Sequence, residues 1–504
     1  MRRFLTISLV CVLALAIAMP VFALEVKWGG LFRARVLSQH SFTDYPRSGT
    51  YATAVDLSAP GTPANRNIGY TQHNNRFDQR LRIFIDFISS ENLKVVTKFE
   101  TNSIWGSSAQ AFNSNTGSGN VGADTGSLNV KNVYLDFKIP QTPLTAKVGV
   151  QGINLVDSWI IDDDFSAALL QANLKPFTVM IGYISGQNFN SKEEDENIDD
   201  LVATVEYKEG PFRAALVGLW QDAHNTPTSL FPTMMDNPVA GNIWPTWSKD
   251  PLRAGKPWAM KNPWGLGGLY VENNQLFDLG FQLGYKIDYL SAYLNFVKNF
   301  GSVDAGIDPV DLRSRDYEGW MIDAGFNYFC GPWSFNLGGF YTSGAKIEQE
   351  ADGTLSRSEN IKEFTYPQDT SKYFSEIMGG GILDNTAPNG GYWSGYNSPS
   401  NIWTVTVGGA WQAMPTTKIA LSYWYFGTSE KVPSRWNGTN WDFSSDLGHE
   451  INLNITQNIV DKLNLDLVGA YMFTGDAFRA KDSRVDYTGD DNVYELGARL
   501  QWTW

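Results

Sequence analysis

The carboxyl-terminal stretch, residues 491–504, constrains the fold of this chain more than any other segment. Its apolar side chains alternate with small or polar ones, and the apolar set is Tyr494, Leu496, Ala498, Leu500, Trp502 and Trp504. Successive side chains of a β-strand point to opposite faces, so this is a strand with one apolar and one polar face. Tryptophans seldom occupy the fraying end of a soluble sheet, whereas aromatic girdles mark where barrel strands meet the lipid–water boundary. The stretch therefore predicts the last strand of a transmembrane barrel, and the edge strand of a soluble β-sandwich is the alternative.

Alternation with the same period recurs along the chain and predicts an all-β fold of about eighteen strands. Sixteen is possible, because the pattern is weakest at residues 264–277, which fit either two half-strands or a loop. The predicted strands begin near Glu25, Arg76, Leu93, Leu128, Leu144, Ser166, Phe177, Leu201, Phe212, Asp278, Leu290, Gly319, Trp333, Ile402, Lys418, Leu447, Leu463 and Asn492.

Short and long connections alternate between these strands. Short turns are expected at residues 140–143, 174–176, 208–211, 287–290, 330–332, 414–417 and 458–462, and long loops near residues 38–74, 103–126, 221–276, 302–316, 344–400, 428–446 and 474–490. Outer-membrane barrels have short periplasmic turns and long extracellular loops, with both termini in the periplasm. The pattern predicts an antiparallel, up-and-down transmembrane β-barrel.

Such a barrel must close, because hydrocarbon offers no partner for a backbone N–H or C=O group. The first strand, from Glu25 onward, should therefore pair with the last. That pairing would place Arg33 or Arg35 on the same inner wall as Arg499.

The amino terminus predicts export. Arg2 and Arg3 precede an apolar run that is too short for a comfortable membrane helix, and small residues lead up to Ala23. We expect a signal peptide at residues 1–23, cleaved near Ala23, followed by one barrel domain at residues 24–504 in the outer membrane.

Charge and composition exclude several classes of protein. Removal of the leader takes away Arg2 and Arg3 and no acid, so the formal charge goes from −14 to −16, which argues against nucleic acid as a partner. Cys330 would then be the remaining cysteine, so no intrachain disulfide is expected. The four histidines are scattered and match no haem or zinc motif, so neither a metal nor another cofactor is expected.

Basic residues fall on the polar faces of the predicted strands. A charge facing lipid near the bilayer midplane would cost about 2–4 kcal/mol, so these side chains should line the lumen. The predicted basic lining consists of Arg33, Arg35, Arg80, Arg82, Lys94, Lys98, Lys147 and Arg499. The alternative, compatible in part with the first, is that they pair with Asp78, Asp86 and Glu100 as scaffold.

The connection at residues 151–165, after the fifth strand, differs from the other loops in its apolar middle. Ile153, Leu155, Val156, Trp159, Ile160 and Ile161 would need to be hidden from water, so we expect the loop to fold inward as a constriction. Its acidic rim would consist of Asp157, Asp162, Asp163 and Asp164. Alternatively, these aspartates merely begin the sixth strand at the outer surface.

Two stretches carry a resemblance to a known family. Residues 80–87 (RLRIFIDF) and 98–106 (KFETNSIWG) resemble the early hairpin of the bacterial outer-membrane homotrimeric porins. Residues 147–152 (KVGVQG) and 161–168 (IDDDFSAA) are similar to that family's fifth strand and infolded third loop, and Trp504 resembles its terminal aromatic. The resemblance implies trimers of water-filled barrels that pass small hydrophilic solutes. It also implies an assembly signal, here Tyr494, Trp502 and Trp504, read by outer-membrane assembly machinery.

The leading hypothesis is thus a passive diffusion porin with no catalytic activity, weakly selective and leaning towards anions. A substrate-specific channel for an oligosaccharide or organic anion is the alternative, with Tyr134, Trp424 and Phe426 as candidate stacking platforms for sugar rings.

Two further alternatives belong to other classes of protein. An outer-membrane hydrolase would need His449, which lies next to Asp446 and Glu450 in the sequence. A porin sheath around an electron-transfer partner would take its haems from that partner chain.

Overall fold

A computed structural model of the chain describes residues 24–40, 73–106, 128–188, 197–227, 270–306, 313–349, 355–357, 360–367, 370, 372–384, 399–436, 440–478 and 492–504. The expected signal peptide at residues 1–23 and much of the predicted long loops lie outside the described residues. Among the described residues, no helix has the length and apolarity that crossing a membrane would require.

The described secondary structure is almost entirely β. The strands are β1 (Glu25–His40), β2 (His73–Ser90), β3 (Leu93–Ile104), β4 (Asn129–Lys138), β5 (Leu144–Leu155), β6 (Ile161–Leu174), β7 (Phe177–Asn188), β8 (Asn197–Glu209), β9 (Phe212–Pro227), β10 (Tyr270–Ile287), β11 (Leu290–Gly306), β12 (Arg313–Asp316), β13 (Trp320–Cys330), β14 (Trp333–Thr342), β15 (Ile347–Gln349), β16 (Leu355–Arg357), β17 (Ile402–Met414), β18 (Thr417–Trp436), β19 (Trp441–Val460), β20 (Leu463–Thr474) and β21 (Val493–Thr503). A 3-10 helix lies at Asp476–Phe478.

The strands form a closed antiparallel barrel. Each wall strand pairs with its neighbour in sequence, and β1 pairs with β21 from Leu31↔Thr503 to His40↔Tyr494. β12 and β13 both pair with β11 and make one wall strand together, while β15 and β16 form a separate two-stranded sheet. The wall therefore has eighteen strands, which confirms the predicted number. Register places Arg35 directly opposite Arg499, as closure required.

The predicted strand starts differ from the structure mainly at the ends that carry the long loops. β6 begins at Ile161 rather than Ser166, and β10 begins at Tyr270 rather than Asp278. Residues 270–277 are thus part of one long strand, so the reading of residues 264–277 as two half-strands or a loop is wrong over that part. Long hairpins can pair beyond the bilayer, and alternation of apolar side chains no longer marks the strand there.

The outer wall is apolar and aromatic. Along β9, Phe212, Leu216 and Trp220 are exposed, whereas Val217 and Leu219 are buried. At the closing seam, the ring of Trp504 lies so close to Gly30 that a Cβ there would come within 2.2 Å of it. Glycine at position 30 is therefore what admits the terminal tryptophan to the seam.

Candidate functional site in the barrel lumen

The predicted constriction loop leaves the barrel wall. Pairing of β4 with β5 ends at Val133↔Val150, and pairing of β6 with β7 begins at Ser166↔Ser185. Between those limits, residues 151–165 pair only with each other, from Gln151↔Phe165 to Leu155↔Ile161. We call this segment the inner hairpin.

The bend into the lumen begins at Gly149. Its φ is +132°, and a Cβ there would lie 2.3 Å from the carbonyl oxygen of Val133. No L side chain fits such a position, so glycine is required where β5 departs from β4.

The tip of the inner hairpin is held in a tight reversal. Val156, Asp157 and Ser158 all have positive φ, at 54°, 49° and 70°. Non-glycine residues in this region cost about 1–3 kcal/mol each and persist where the surroundings fix them. Here the Ser158 N–H donates to Asn154 Oδ1 at 3.1 Å, and the Ser158 hydroxyl donates to Asp162 Oδ2 at 2.6 Å.

Trp159 anchors the tip against the far wall. Its side chain is fully buried, and its indole N–H donates to Asp323 Oδ2 on β13 at 2.8 Å. The ring packs edge-on against Phe340 of β14, with centroids 5.1 Å apart. Since β5 and β14 are eight wall strands apart in an eighteen-strand barrel, the hairpin crosses most of the lumen.

The other apolar residues of the inner hairpin are buried as well. Ile153, Leu155, Val156, Ile160 and Ile161 are at most 5% exposed. Val156 and Ile160 lie against Gly280 of β10, where a Cβ would come within 2.6 Å of Val156 Cγ2. Burial of the apolar middle therefore supplies the force that folds the hairpin inward.

The four predicted rim aspartates have different partners. Asp162, Asp163 and Asp164 belong to β6, so they do begin the sixth strand, but on the part that lies inside the barrel. Asp164 faces the basic wall, at 2.9 Å from Lys131 Nζ and 4.0 Å from Lys98 Nζ. Asp157 accepts a bond from Asn295 Nδ2 at 3.1 Å, and Asp163 accepts one from the N–H of Asp164.

A second segment also lies inside the barrel, and the sequence analysis assigned it to an outer loop. Residues 360–367 and 372–384, within the predicted loop 344–400, contribute the buried residues Phe364, Tyr366, Ile377, Met378 and Leu383. Two hydrogen bonds connect this part of the chain to the inner hairpin. Thr370 Oγ1 donates to the Ser158 carbonyl at 2.6 Å, and Lys372 Nζ donates to the Asp157 carbonyl at 3.0 Å. We call residues 372–384 the strap.

The apolar residues of the strap were a signal that could have revealed it. They are the same kind of residue that marked the inner hairpin, and an outer loop surrounded by water gives them nowhere to pack. The loop's length obscured the pattern.

The first half of the strap is fixed by Glu450 of β19. This carboxylate is fully buried and accepts bonds from the N–H groups of Ile377 at 2.9 Å and Met378 at 3.1 Å, and from Ser375 Oγ at 3.0 Å. Phe374 packs in the same region against Trp424, with ring centroids 6.1 Å apart.

The end of the strap covers four of the predicted lining arginines. Asp384 Oδ2 lies 2.5 Å from Arg33 Nη1 and 3.0 Å from Arg80 Nη1. Arg35 donates to the carbonyls of residues 383 and 384, and Arg499 donates to that of residue 382. Arg33, Arg35, Arg80 and Arg499 are the arginine cluster.

The charge of Asp384 is stabilised by that cluster. Burial alone would raise the pKa of this carboxyl group, but Arg33, the Tyr373 hydroxyl and Arg80 outweigh burial and hold the pKa at about 2. In the same segment, burial raises the pKa of Glu376, although it accepts bonds from the Ile382 N–H and from Asn454.

The remaining predicted basic residues reach the lumen more freely. The side chains of Arg82, Lys94 and Lys98 are 27%, 38% and 22% exposed, whereas those of Arg33 and Arg35 are 6% and 8% exposed. Lys147 lies with Nζ 5.9 Å from the ring centre of Tyr134. Arg80 and Arg499, at 21% each, are about as exposed as Lys98, so contact with the strap rather than exposure distinguishes the arginine cluster from the basic residues along β2 to β5.

The predicted scaffold pairs are present among these residues. Arg35 lies 2.6 Å from Asp78, and Lys94 lies 4.0 Å from Asp86 and 3.5 Å from Asp136. In addition, Arg82 lies 2.5 Å from Glu100. These pairs agree with the scaffold interpretation, and the lining role of the same residues stays a prediction.

Lys131 was missed by the sequence analysis. Register between β3 and β4 shifts from Lys98↔Asn132 to Phe99↔Val130, so Lys131 is the extra residue of a bulge. A bulge interrupts the alternation of side chains between the two faces of a strand, so alternation could not show that Lys131 lies on the inner face.

The candidate platforms for sugar stacking are not free. Phe426 is fully buried, and Trp424 is stacked on it with centroids 6.0 Å apart. These two rings point into the barrel but pack with the strap, which corrects their assignment as platforms free to stack on a sugar. Tyr134, at the open side, keeps a half-buried ring.

The histidine of the hydrolase alternative points away from the lumen. His449 Nδ1 is hydrogen-bonded to the Tyr423 hydroxyl, and its ring lies 4.8 Å from that of Tyr425. Glu450, its sequence neighbour, turns to the interior and holds the strap. His449 and Glu450 are therefore on opposite faces of β19, while Asp446 accepts a bond from the hydroxyl of Tyr425, beside His449.

No protein-family model matches this chain, and no curated protein matches it either. Among solved structures, Pseudomonas aeruginosa OccK11 (OpdR) has 10% identity and a TM-score of 0.47 over 96% of this chain and 99% of that one. A BenF-like porin from Pseudomonas fluorescens Pf-5 has 10% identity and a TM-score of 0.46 over 95% and 98%. OmpT of Vibrio cholerae, in its trimer form, has 9% identity and a TM-score of 0.41 over 96% and 100%. At these identities and TM-scores, the lumen itself remains the basis for assigning a function.

Proposed function

We propose that this protein is an outer-membrane porin through which small hydrophilic solutes diffuse passively. The observation that carries the proposal is a closed eighteen-strand barrel with an apolar outer wall and charged, partly exposed side chains on its inner wall along β2 to β5. A barrel of this size encloses more space than its own wall side chains fill.

The proposed path runs between the inner hairpin and the wall of β2 to β5. On one side stand Arg82, Lys94, Lys98 and Lys131, and on the other stands Asp164. Because charged groups at a narrowing determine which ions pass, and because Glu100, Asp86 and Asp136 offset part of the basic wall, we propose a weak selectivity that leans to anions along the basic ladder.

The lumen gives no support to the sheath alternative. The inner hairpin and the first part of the strap pack together, and their apolar residues form one cluster with side chains of strands from β6 to β21. A partner chain would have to displace that cluster. A substrate-specific channel for organic anions remains the second candidate, because the two inward segments narrow a basic path; oligosaccharide stacking loses Trp424 and Phe426 as platforms.

Export, assembly and oligomeric state form part of the same proposal. A leader at residues 1–23 would carry the chain to the outer membrane, and Tyr494, Trp502 and Trp504 on β21 would act as its assembly signal. Trp502 is 43% exposed on the outer wall and lies 4.7 Å from the Trp504 ring, so this aromatic pair is accessible from outside the barrel. A homotrimer is the proposed assembly.

Planar-bilayer recording tests the proposal. The purified, detergent-folded chain should add current in stable, uniform steps, and total current should rise linearly with the salt concentration. Saturable block by one organic anion would favour the substrate-specific candidate. Heat-modifiable migration on gels would show that the barrel is folded. If such folded protein gave no stable steps, both candidates would be contradicted.

A further inference from the structure

The strap consists of two parts that are held in different ways. Its first part is locked by Glu450 and by the buried side chains of Ile377 and Met378. Its last part, residues 382–384, which we call the cover, is held by the arginine cluster, by the apolar side chains of Leu383 and Ile382, and by two bonds to the first part: the Ile382 N–H donates to Glu376, and the Tyr373 hydroxyl donates to Asp384. Leu383 is buried among Leu37 and Val468.

Three consecutive glycines, residues 379–381, separate the two parts. Gly380 and Gly381 both have positive φ, at 72° and 38°. Gly381 also needs its small size, because a Cβ there would lie 2.0 Å from Glu376 Oε2. Glycines without side-chain restrictions can absorb large changes of φ and ψ, as hinge residues do.

The cover occupies the arginine cluster as an anion would. Asp384 brings a carboxylate to Arg33 and Arg80, and the carbonyls of residues 382–384 take bonds from Arg35 and Arg499. Without the cover, Arg35 and Arg499 would still have Asp78 and Asp466 as partners, at 2.6 Å and 2.9 Å. Arg33 is different, because Asp384 is the carboxylate recorded beside it among the described residues.

We propose that the cover is displaceable: it pivots at residues 379–381, and its displacement widens the lumen beside β1, β2 and β21 and exposes the arginine cluster to passing anions. The closed cover is thus an autoinhibitory contact built from the chain's own carboxylate. This inference rests on the proposed porin function for its consequence in transport, but the movement itself can be measured without transport.

Thiol labelling measures the movement. Leu37 lies beneath the cover and is 1% exposed, so a Leu37→Cys variant in a Cys330→Ser background should react slowly with a small charged methanethiosulfonate. Adding Asp384→Asn removes the charge that holds the cover. Labelling should then quicken about tenfold, the factor that corresponds to about 1.4 kcal/mol, as for one charge-assisted hydrogen bond.

Asp163→Asn is the matched control. It removes the same charge from an exposed lumenal carboxylate that does not touch the cover, so it should leave the labelling rate unchanged. Equal rates in the parent and the Asp384→Asn variant, or equal acceleration by Asp163→Asn, would overturn the proposal.

Conductance measures the consequence. Asp384→Asn and the uncharged change Leu383→Ala should both enlarge the unit current relative to the wild type. Because Leu383→Ala alters no charge, a larger current from it reports displacement rather than electrostatics. Unchanged unit currents in both folded variants would overturn the proposed widening of the lumen. A wild-type chain that gives no current steps would refute the porin function, but the labelling rates would still decide whether the cover moves.

Discussion

Removing the Trp159 side chain should loosen the inner hairpin without unfolding the barrel. Truncating a buried tryptophan to alanine costs about 3–5 kcal/mol through lost contacts and the cavity that remains. Trp159→Ala would also leave Asp323 without its indole donor, but Lys372 at 3.2 Å and the Tyr293 hydroxyl at 3.1 Å would still satisfy that carboxylate. The penalty should therefore stay within this range rather than exceed it.

The smaller change Trp159→Phe separates packing from hydrogen bonding. It keeps an aromatic ring against Phe340 and loses only the donor to Asp323, at about 1–2 kcal/mol. We therefore expect the hairpin tip to be looser in Trp159→Ala than in Trp159→Phe.

Single-channel recording is the assay for this ranking. A loosened tip should raise the unit conductance and the open-channel noise, most in Trp159→Ala and less in Trp159→Phe. Trp333→Ala is the control, because it removes an exposed tryptophan that stacks on Trp411 at 5.4 Å, outside the lumen. Trp159→Ala with wild-type conductance and noise, in a folded barrel, would refute the idea that the hairpin narrows the path.

Three further changes have defined outcomes. Gly280→Leu should displace the hairpin tip and raise the unit conductance, because even a Cβ would collide with Val156 at 2.6 Å, and a crystal structure of the variant would show the shift. Glu100→Gln should move the reversal potential towards anions, because it leaves Arg82, now 2.5 Å from that carboxylate, without its charge partner; an unmoved potential would count against a role for this pair in selectivity. Glu376→Gln tests pH dependence: a carboxyl group with a raised pKa stabilises the fold at low pH, and that stability is lost as pH rises from the unfolded value through the folded one. The melting temperature of the wild type should therefore decrease relative to that of Glu376→Gln as the pH increases over this range. The same pH dependence in both proteins would contradict the raised pKa of Glu376.

The wall could be predicted from the sequence because lipid outside and water inside impose a strict period of two. That constraint acts on every residue of a spanning strand, so the strand number and the pairing of β1 with β21 followed from alternation and closure alone. Beyond the bilayer the constraint ends, which is why the start of β10 was placed too late; the predicted start of β6, Ser166, is where that strand joins the wall, and residues 161–165 belong to the inner hairpin.

The lumen was only partly predictable, for a different physical reason. The inner hairpin was visible because a short connection rich in Ile, Leu and Trp cannot stay in water. The strap carries the same signal at Ile377, Met378 and Leu383, but its partners are set by tertiary contacts rather than by register. The contact between Arg33 and Asp384 spans 351 positions, and no periodicity connects them.

The reversal potential across a salt gradient tests the central claim most directly, since it requires both a water-filled path and a charged inner wall. For the wild-type protein in a planar bilayer of neutral lipid, the basic residues along β2 to β5 predict a small reversal potential whose sign indicates that anions pass slightly more readily than cations. A firm cation preference would mean that Asp164 and the other acids of the inner hairpin dominate the path, and it would contradict the account.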